Sequence, residues 1–346
     1  KLHFLFFPDG PASERDIETQ PPGPNIDVMM TMAAIARETK RMGLVATGST
    51  TFNEPFNLAR HFKALDVMSH GRAGWNAVTS STDDTAAYYG KRIPSSEERY
   101  GRAHEMIQLM QALWGSWGKD AWVHNKENSE FTKKGAINAI NLQGEYVGAS
   151  GPLYVPPSAQ GQPVIVHGGG SPNAHELAGR FANVVVGATF TIDDARAQRK
   201  AFRDAAKRYS RDPDEIKFFA GLMTTIAKDR RTALDRRIQL TESNFPERVA
   251  YLQRMLGIPL DINRLNEPLN QAQLTNARPS PYDPRSAHAL KIAKEGWSLR
   301  DIIAHGVIDY HPVIVGPGVE AADHMQEWFE AGAVDGFWIT PDVNAD

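Results

Sequence analysis

The sequence predicts an α/β fold built on a parallel sheet, with the length of a (β/α)8 barrel. Three observations lead there. Short apolar runs alternate with helical stretches along the chain, which is the pattern of successive βα units. The runs at 44–49 and 184–187 are almost continuously apolar or small, as strands covered on both faces require. The 346 residues suit one barrel domain.

The elements follow in order. A first strand at 2–7 opens directly after Lys1, and a helix at 27–42 turns Met29, Met30, Ala33, Ile35 and Ala36 toward a core. Strands at 44–49 and 74–79, a helix at 97–114, a strand at 163–167 and a helix at 172–181 come next. Strand 184–187, helix 193–209, strand 216–226, helix 319–331 and strand 336–340 complete the series. Seven strands fall one short of a closed barrel, so one βα unit is expected ahead of Lys1. Two stretches break the rhythm, 119–162 and 241–297, both rich in Asn, Gly or Pro. Each reads either as a loop insertion that shapes a pocket or as a solvated excursion.

Composition excludes several function classes. The net charge is -3 and Lys and Arg are scattered, which leaves no basic face for nucleic acid. No run approaches the roughly 18 apolar residues that cross a bilayer, and no signal core opens the chain, so a cytoplasmic location away from membranes is expected. The absence of cysteine removes thiolate nucleophiles, zinc-thiolate sites and iron-sulfur clusters. The 11 histidines form no H-E-x-x-H or other metal spacing, so no metal site is expected. No G-x-S-x-G elbow is present either.

The chemistry-bearing candidates sit where strands end. Val166-His167-Gly168-Gly169-Gly170-Ser171-Pro172 runs from a strand through glycines into a helix. Free amides and the helix dipole there favour an anion, but an ordinary capped turn has the same residues. Asp9, before Gly10, is a turn former or a ligand contact. Thr47 shares a strand face with Ser49, and threonine is also simply a good strand residue. Asn76 and Ser80 lie on one face of a strand; Asn76 meets either a ligand or a backbone partner.

These segments together resemble the nitrilotriacetate monooxygenase, dibenzothiophene-sulfone monooxygenase and pristinamycin synthase group of the bacterial-luciferase-like flavin monooxygenases. The resemblance rests on residues 43–50, Glu54-Pro55-Phe56-Asn57-Leu58-Ala59-Arg60, Leu65-Asp66 and 71–80. It continues through Arg99-Tyr100, Leu113-Trp114-Gly115-Ser116-Trp117, Gly151-Pro152-Leu153-Tyr154-Val155-Pro156, Gln160-Gly161-Gln162-Pro163 and Asp335-Gly336-Phe337. It implies a (β/α)8 TIM barrel over residues 1–346, with its first strand and helix ahead of residue 1 and its last helix beyond residue 340. FMN would lie at the C-terminal rim against Asp9, Thr47, Ser96, Tyr100 and Ser171, its phosphate held by the amides of Gly168, Gly169 and Gly170. Thr47 and Asn76 would donate hydrogen bonds near the flavin N5 and C4 edge, where oxygen adds. Two positions depart from the family: Ser96 replaces a common His with a shorter, uncharged hydroxyl, and His167 replaces the usual Gln.

The implied activity is an FMNH2-dependent monooxygenase component that inserts one atom of O2 into a small organic substrate. A separate NAD(P)H:flavin reductase would supply the FMNH2, and a homodimer or higher homo-oligomer is expected. The alternatives are a deazaflavin-dependent oxidoreductase of the same fold and a non-catalytic flavin-binding protein.

Overall fold

The computed structural model describes residues 2–10, 26–241 and 244–342. The chain divides into two units, Lys1–Val185 with Phe202–Ile216 and Val186–Ala201 with Lys217–Asp346.

The first unit alternates strand and helix. Strand β1 (Phe4–Phe7) leads to α1 (Val28–Glu38), β2 (Gly43–Ser49), α2 (Pro55–Met68), β3 (Ala73–Val78), α3 (Asp83–Tyr88) and α4 (Ser96–Trp114). Two hairpins follow: β4 (Trp122–Asn125) with β5 (Glu130–Thr132), and β6 (Asn141–Gln143) with β7 (Gly148–Ser150). Next come β8 (Val164–Gly168) and α5 (Pro172–Phe181). Strands β1, β2, β3 and β8 pair in that order, all in parallel. The register sets Thr47 beside Asn76 and Asn76 beside Val166. Because side chains alternate between faces, Leu44, Ala46, Trp75, Ala77 and Ile165 share one face. They are buried there with Met32, Phe62, Met106 and Trp114 of the helices. Thr47 and Asn76 fall on the other face.

Helix α1 ends at Glu38 and not at 42, for a reason remote in sequence. The Arg72 guanidinium donates to the carbonyls of Ala36 at 2.9 Å, Thr39 at 2.7 Å and Met42, and to the Thr39 hydroxyl at 2.9 Å. Those acceptors would otherwise be the orphaned carbonyls of a longer helix or water-bound. The buried stripe of α1 is Val28, Met32 and Ala36, with Met29 and Ile35 partly packed. Met30, expected inside, is 65% exposed. Arg72→Ala is expected to cost about 2 kcal/mol, since it leaves several part-buried acceptors without a charged donor. A shift in the urea midpoint at constant slope would measure it.

The stretch 119–162 is not a loose excursion. The Glu105 carboxylate accepts from the amides of Glu145 at 2.8 Å, Tyr146 at 2.7 Å and Val147 at 3.0 Å. Farther on, the buried Asp66 carboxylate takes hydrogen bonds from Ser158 and Gln160, and the buried Lys63 donates to the Gly161 carbonyl.

The chain passes between the units in β9 (Val184–Gly187) and α6 (Ile192–Arg208). In the second unit β10 (Lys217–Ile226) is followed by α7 (Arg230–Thr241), α8 (Phe245–Leu256), α9 (Gln271–Asn276), α10 (Arg285–Lys294), α11 (Leu299–Ala304), β11 (Val313–Gly316), α12 (Gly318–Glu330) and β12 (Gly336–Pro341). Strand β10 pairs in parallel with β12 through Phe219–Thr224 and with β11 through Met223–Ile226. Strand β11 is absent from the expected seven, so eight strands stand in the described βα series. The stretch 241–297, apart from residues 242–243, which lie outside the described residues, holds three helices and contributes to a second core around Leu252, Leu256, Ile292 and Ile303.

Candidate active site

Asn76 and Thr47 are adjacent on β3 and β2, and each is 6% exposed. Thr47 has one hydroxyl hydrogen and donates it to the Phe7 carbonyl at 2.8 Å. Its oxygen therefore accepts from Asn76 Nδ2, at 2.9 Å, which fixes the orientation of the amide. The chain of bonds runs across β3, β2 and β1 and ends in a buried Asn76 Oδ1 that has no hydrogen-bond partner. An unpaired buried acceptor costs about 1–3 kcal/mol, so this oxygen is placed for a donor from a ligand. Thr47 spends its only proton on the backbone and orients Asn76, so it is not the flavin-edge donor expected from the sequence.

On the neighbouring strand β8, the expected strand-turn-helix forms. Ser171 caps α5, its Oγ accepting from the Ala174 amide at 3.2 Å, and Pro172 occupies the first turn. Gly169 has φ +136°, and a methyl group there would come within 3.0 Å of the Ala174 Cβ. Gly170 faces open space, with nothing within 4 Å of a Cβ position. Both glycines and Ser171 are exposed. The cap and an anion site are compatible, because the cap uses only the serine oxygen while the helix dipole still points outward.

Helix α4 brings Tyr100 to this turn, its hydroxyl standing 3.4 Å from Ser171 Oγ. Ser95, not Ser96, is the N-cap of α4, in a capping box with Glu98. Ser96 is the exposed first helical residue, one turn before Tyr100. His167 is 2% exposed; its Nδ1 donates to the Ala77 carbonyl at 2.8 Å, and its Nε2 has no partner. Burial holds this imidazole below the usual histidine range, so it is neutral.

Asp9 follows β1 and is exposed, yet desolvation and then the nearby Asp27 charge push its carboxyl above the usual range. Tyr89 is pushed up by desolvation and by the same two carboxylates, and its ring stacks on Phe52 at 4.8 Å. Sequence reasoning passed over Tyr89, which follows a six-residue helix too short to show a period. The structure thus joins Phe7, Thr47 and Asn76, and separately Tyr100 with Ser171. Neither Asp9 nor Ser96 is hydrogen-bonded to those groups.

The second unit carries a feature of its own. His311 is 3% exposed, and a methyl group on Gly221 of β10 would overlap its ring. Tyr310 and Trp338 flank it with ring centroids at 4.3 Å and 5.3 Å. Both ring nitrogens lack partners, and burial pushes the imidazole down to about 4. Its burial is tertiary, and no motif in the sequence marks it.

The exposed turn at Gly169–Ser171, open where a Cβ on Gly170 would stand, and the unpaired Asn76 Oδ1 fit a flavin phosphate and a ring donor. Comparison with known proteins gives the family. Residues 13–335 match the luciferase-like monooxygenase family. The chain belongs to that family. It is 36% identical over 317 residues to N-acetyl-S-(2-succino)cysteine monooxygenase of Bacillus subtilis (strain 168), covering 90% of this chain and 71% of that one. Nitrilotriacetate monooxygenase component A of Aminobacter aminovorans is 30% identical over 99% of this chain and 78% of its own. EDTA monooxygenase from Chelativorans sp. BNC1 superposes with a TM-score of 0.78 at 27% identity, over 99% of this chain and 79% of that chain. The coenzyme F420 dependent tetrahydromethanopterin reductase of Methanopyrus kandleri shares the fold alone, at TM-score 0.58 and 17% identity over 92% and 82% of the two chains. This family member is therefore an α/β, TIM-barrel-class enzyme related to monooxygenases. Among its described residues no helix is long and apolar enough to cross a membrane, and no group of three or more His, Asp or Glu could hold a metal.

Proposed function

We propose that this chain is the oxygenase component of a two-component system, using FMNH2 from a separate NAD(P)H:flavin reductase to insert one atom of O2 into a small organic substrate. One observation carries the reading: an exposed, glycine-lined turn follows β8 at the start of α5, and a partnerless buried amide oxygen sits on the adjacent parallel strand β3. Gly169, Gly170 and Ser171 would hold the phosphate, with Tyr100 beside it. Asn76 Oδ1 would accept a hydrogen bond from the reduced ring, and Thr47 keeps that oxygen pointed away from the backbone. When bound, reduced flavin supplies the electrons that activate O2, so that one oxygen atom enters substrate and the other leaves as water. The near-complete burial of Thr47 and Asn76 keeps bulk water from that edge.

The test is a titration of the protein with FMNH2 under nitrogen, followed by oxygen and a substrate panel while flavin absorbance is followed. Oxygenated product supports the proposal. Product formed without oxygen from a reduced deazaflavin would replace it with hydride transfer, and hydrogen peroxide alone across the panel would leave a flavin-binding protein. Asn76→Ala is expected to lower product per FMNH2 roughly tenfold, the equivalent of one hydrogen bond of about 1.4 kcal/mol. An unchanged yield would remove Asn76 from the site.

A further inference from the structure

His167 is the penultimate residue of β8, and its free nitrogen lies beneath Gly169 of the turn. A methyl group on Gly169 would lie 3.9 Å from Nε2. Since Nδ1 carries the hydrogen given to Ala77, Nε2 is a bare lone pair, buried and without a donor. A bare lone pair is misplaced beneath a site for anions, because it repels the very charge that the amides and dipole of α5 attract. Protonation reverses the sign of that contact.

We propose that His167 is the proton-accepting floor of the phosphate site: when Gly169, Gly170 and Ser171 hold a phosphate monoester dianion, Nε2 takes one proton from solvent and the resulting imidazolium faces the anion. This rests on the flavin-phosphate reading of the turn. Of the titratable groups, His104 on α4 interacts with the His167 ring, and His104 in turn feels Arg180 and Glu176 of α5. His104 has its own unpartnered Nδ1 and is held low by burial and then by Arg180. Arg180 opposes and Glu176 favours a charge on His104, while burial holds His167 below the usual histidine range in the free protein. A dianion held by the turn above would shift that balance toward the charged ring.

The experiment is calorimetric titration of the full chain with oxidised FMN and with riboflavin, from pH 7 to 9, in buffers of different ionisation enthalpy. Over this range the phosphate of FMN is already a dianion, its second pKa being about 6, so any proton taken up belongs to the protein. FMN binding is expected to take up a proton and to tighten by up to about tenfold per unit fall in pH. Riboflavin, which lacks the phosphate, should show neither effect. His167→Gln should bind FMN with a flat profile and no uptake, whereas His104→Gln should retain both. FMN that binds tighter than riboflavin without proton uptake overturns the role of His167 and leaves the phosphate site standing. Uptake that persists in His167→Gln also overturns it. Equal affinity for FMN and riboflavin overturns the phosphate reading itself. Should His167→Gln fail to fold, the wild-type comparison of FMN with riboflavin still decides whether a proton is coupled to the phosphate. The His104→Gln variant then decides whether His104 is its source.

Discussion

Gly169→Ala is expected to lower both the stability of the protein and its affinity for FMN, whereas Gly170→Ala is expected to lower the affinity alone. At Gly169 the backbone φ of +136° is one that L-residues rarely adopt, and the added carbon meets Ala174 at 3.0 Å. Strain of this kind costs about 1–3 kcal/mol, and the turn must shift to relieve it. Thermal unfolding should record that loss, and a fluorescence titration should show FMN binding weakened roughly 10- to 100-fold. At Gly170 the same methyl group meets no protein atom, so the melting temperature should stay where it is. The group would stand in the space assigned to the phosphate and should weaken binding by at least about tenfold. If Gly170→Ala binds FMN as tightly as wild type, the phosphate does not approach this turn.

The second large effect is on acid stability. His311 is pushed down to about 4 by burial, while an unfolded histidine titrates near 6.5. Between those values the unfolded chain binds more protons, so stability rises with pH there. The contribution is complete above about pH 6.5 and is lost as pH falls toward 4. Its size is about 3 kcal/mol on the linkage relation. His311→Phe keeps an aromatic ring between Tyr310 and Trp338 but cannot titrate. Urea midpoints measured from pH 4 to 7 should fall less steeply for the variant by that amount. Some slope will remain, because His104, His167, His175, His288, His305 and His324 are held low as well. Identical slopes for the variant and wild type would show that His311 titrates normally.

What could be read from the sequence was whatever is decided locally. The strand, turn and helix from 163 to 181 were legible because Ser171 and Pro172 specify a helix start by themselves. Strand alternation likewise put Thr47 on a definite face. The end of α1 was hidden because its carbonyls are taken by Arg72, more than thirty positions away. Helices α8 and α10 were hidden by composition. The stretch 241–297 reads as a break in the rhythm, yet its Pro246 and Pro284 stand at helix starts, where a missing N–H is harmless. Strand β11 is four residues set between Pro312 and Pro317, whose breaking signal masked it. In the site, the residue types were visible but their unmet valences were not. That Asn76 and His167 each end in an unpartnered atom depends on what the rest of the fold leaves undone, and no spacing encodes it.

The grip of Asp66 and Lys63 on residues 158–161, with that of Glu105 on 145–147, fastens the return leg of the long excursion to α2 and α4. The outer hairpin of β4 and β5 lies beyond both fasteners. Because the base of that hairpin is tied to residues 116–118, through Trp122 against Trp117 and the Gly118 amide on the Ala136 carbonyl, its tip at 126–129 can change without loosening either fastener.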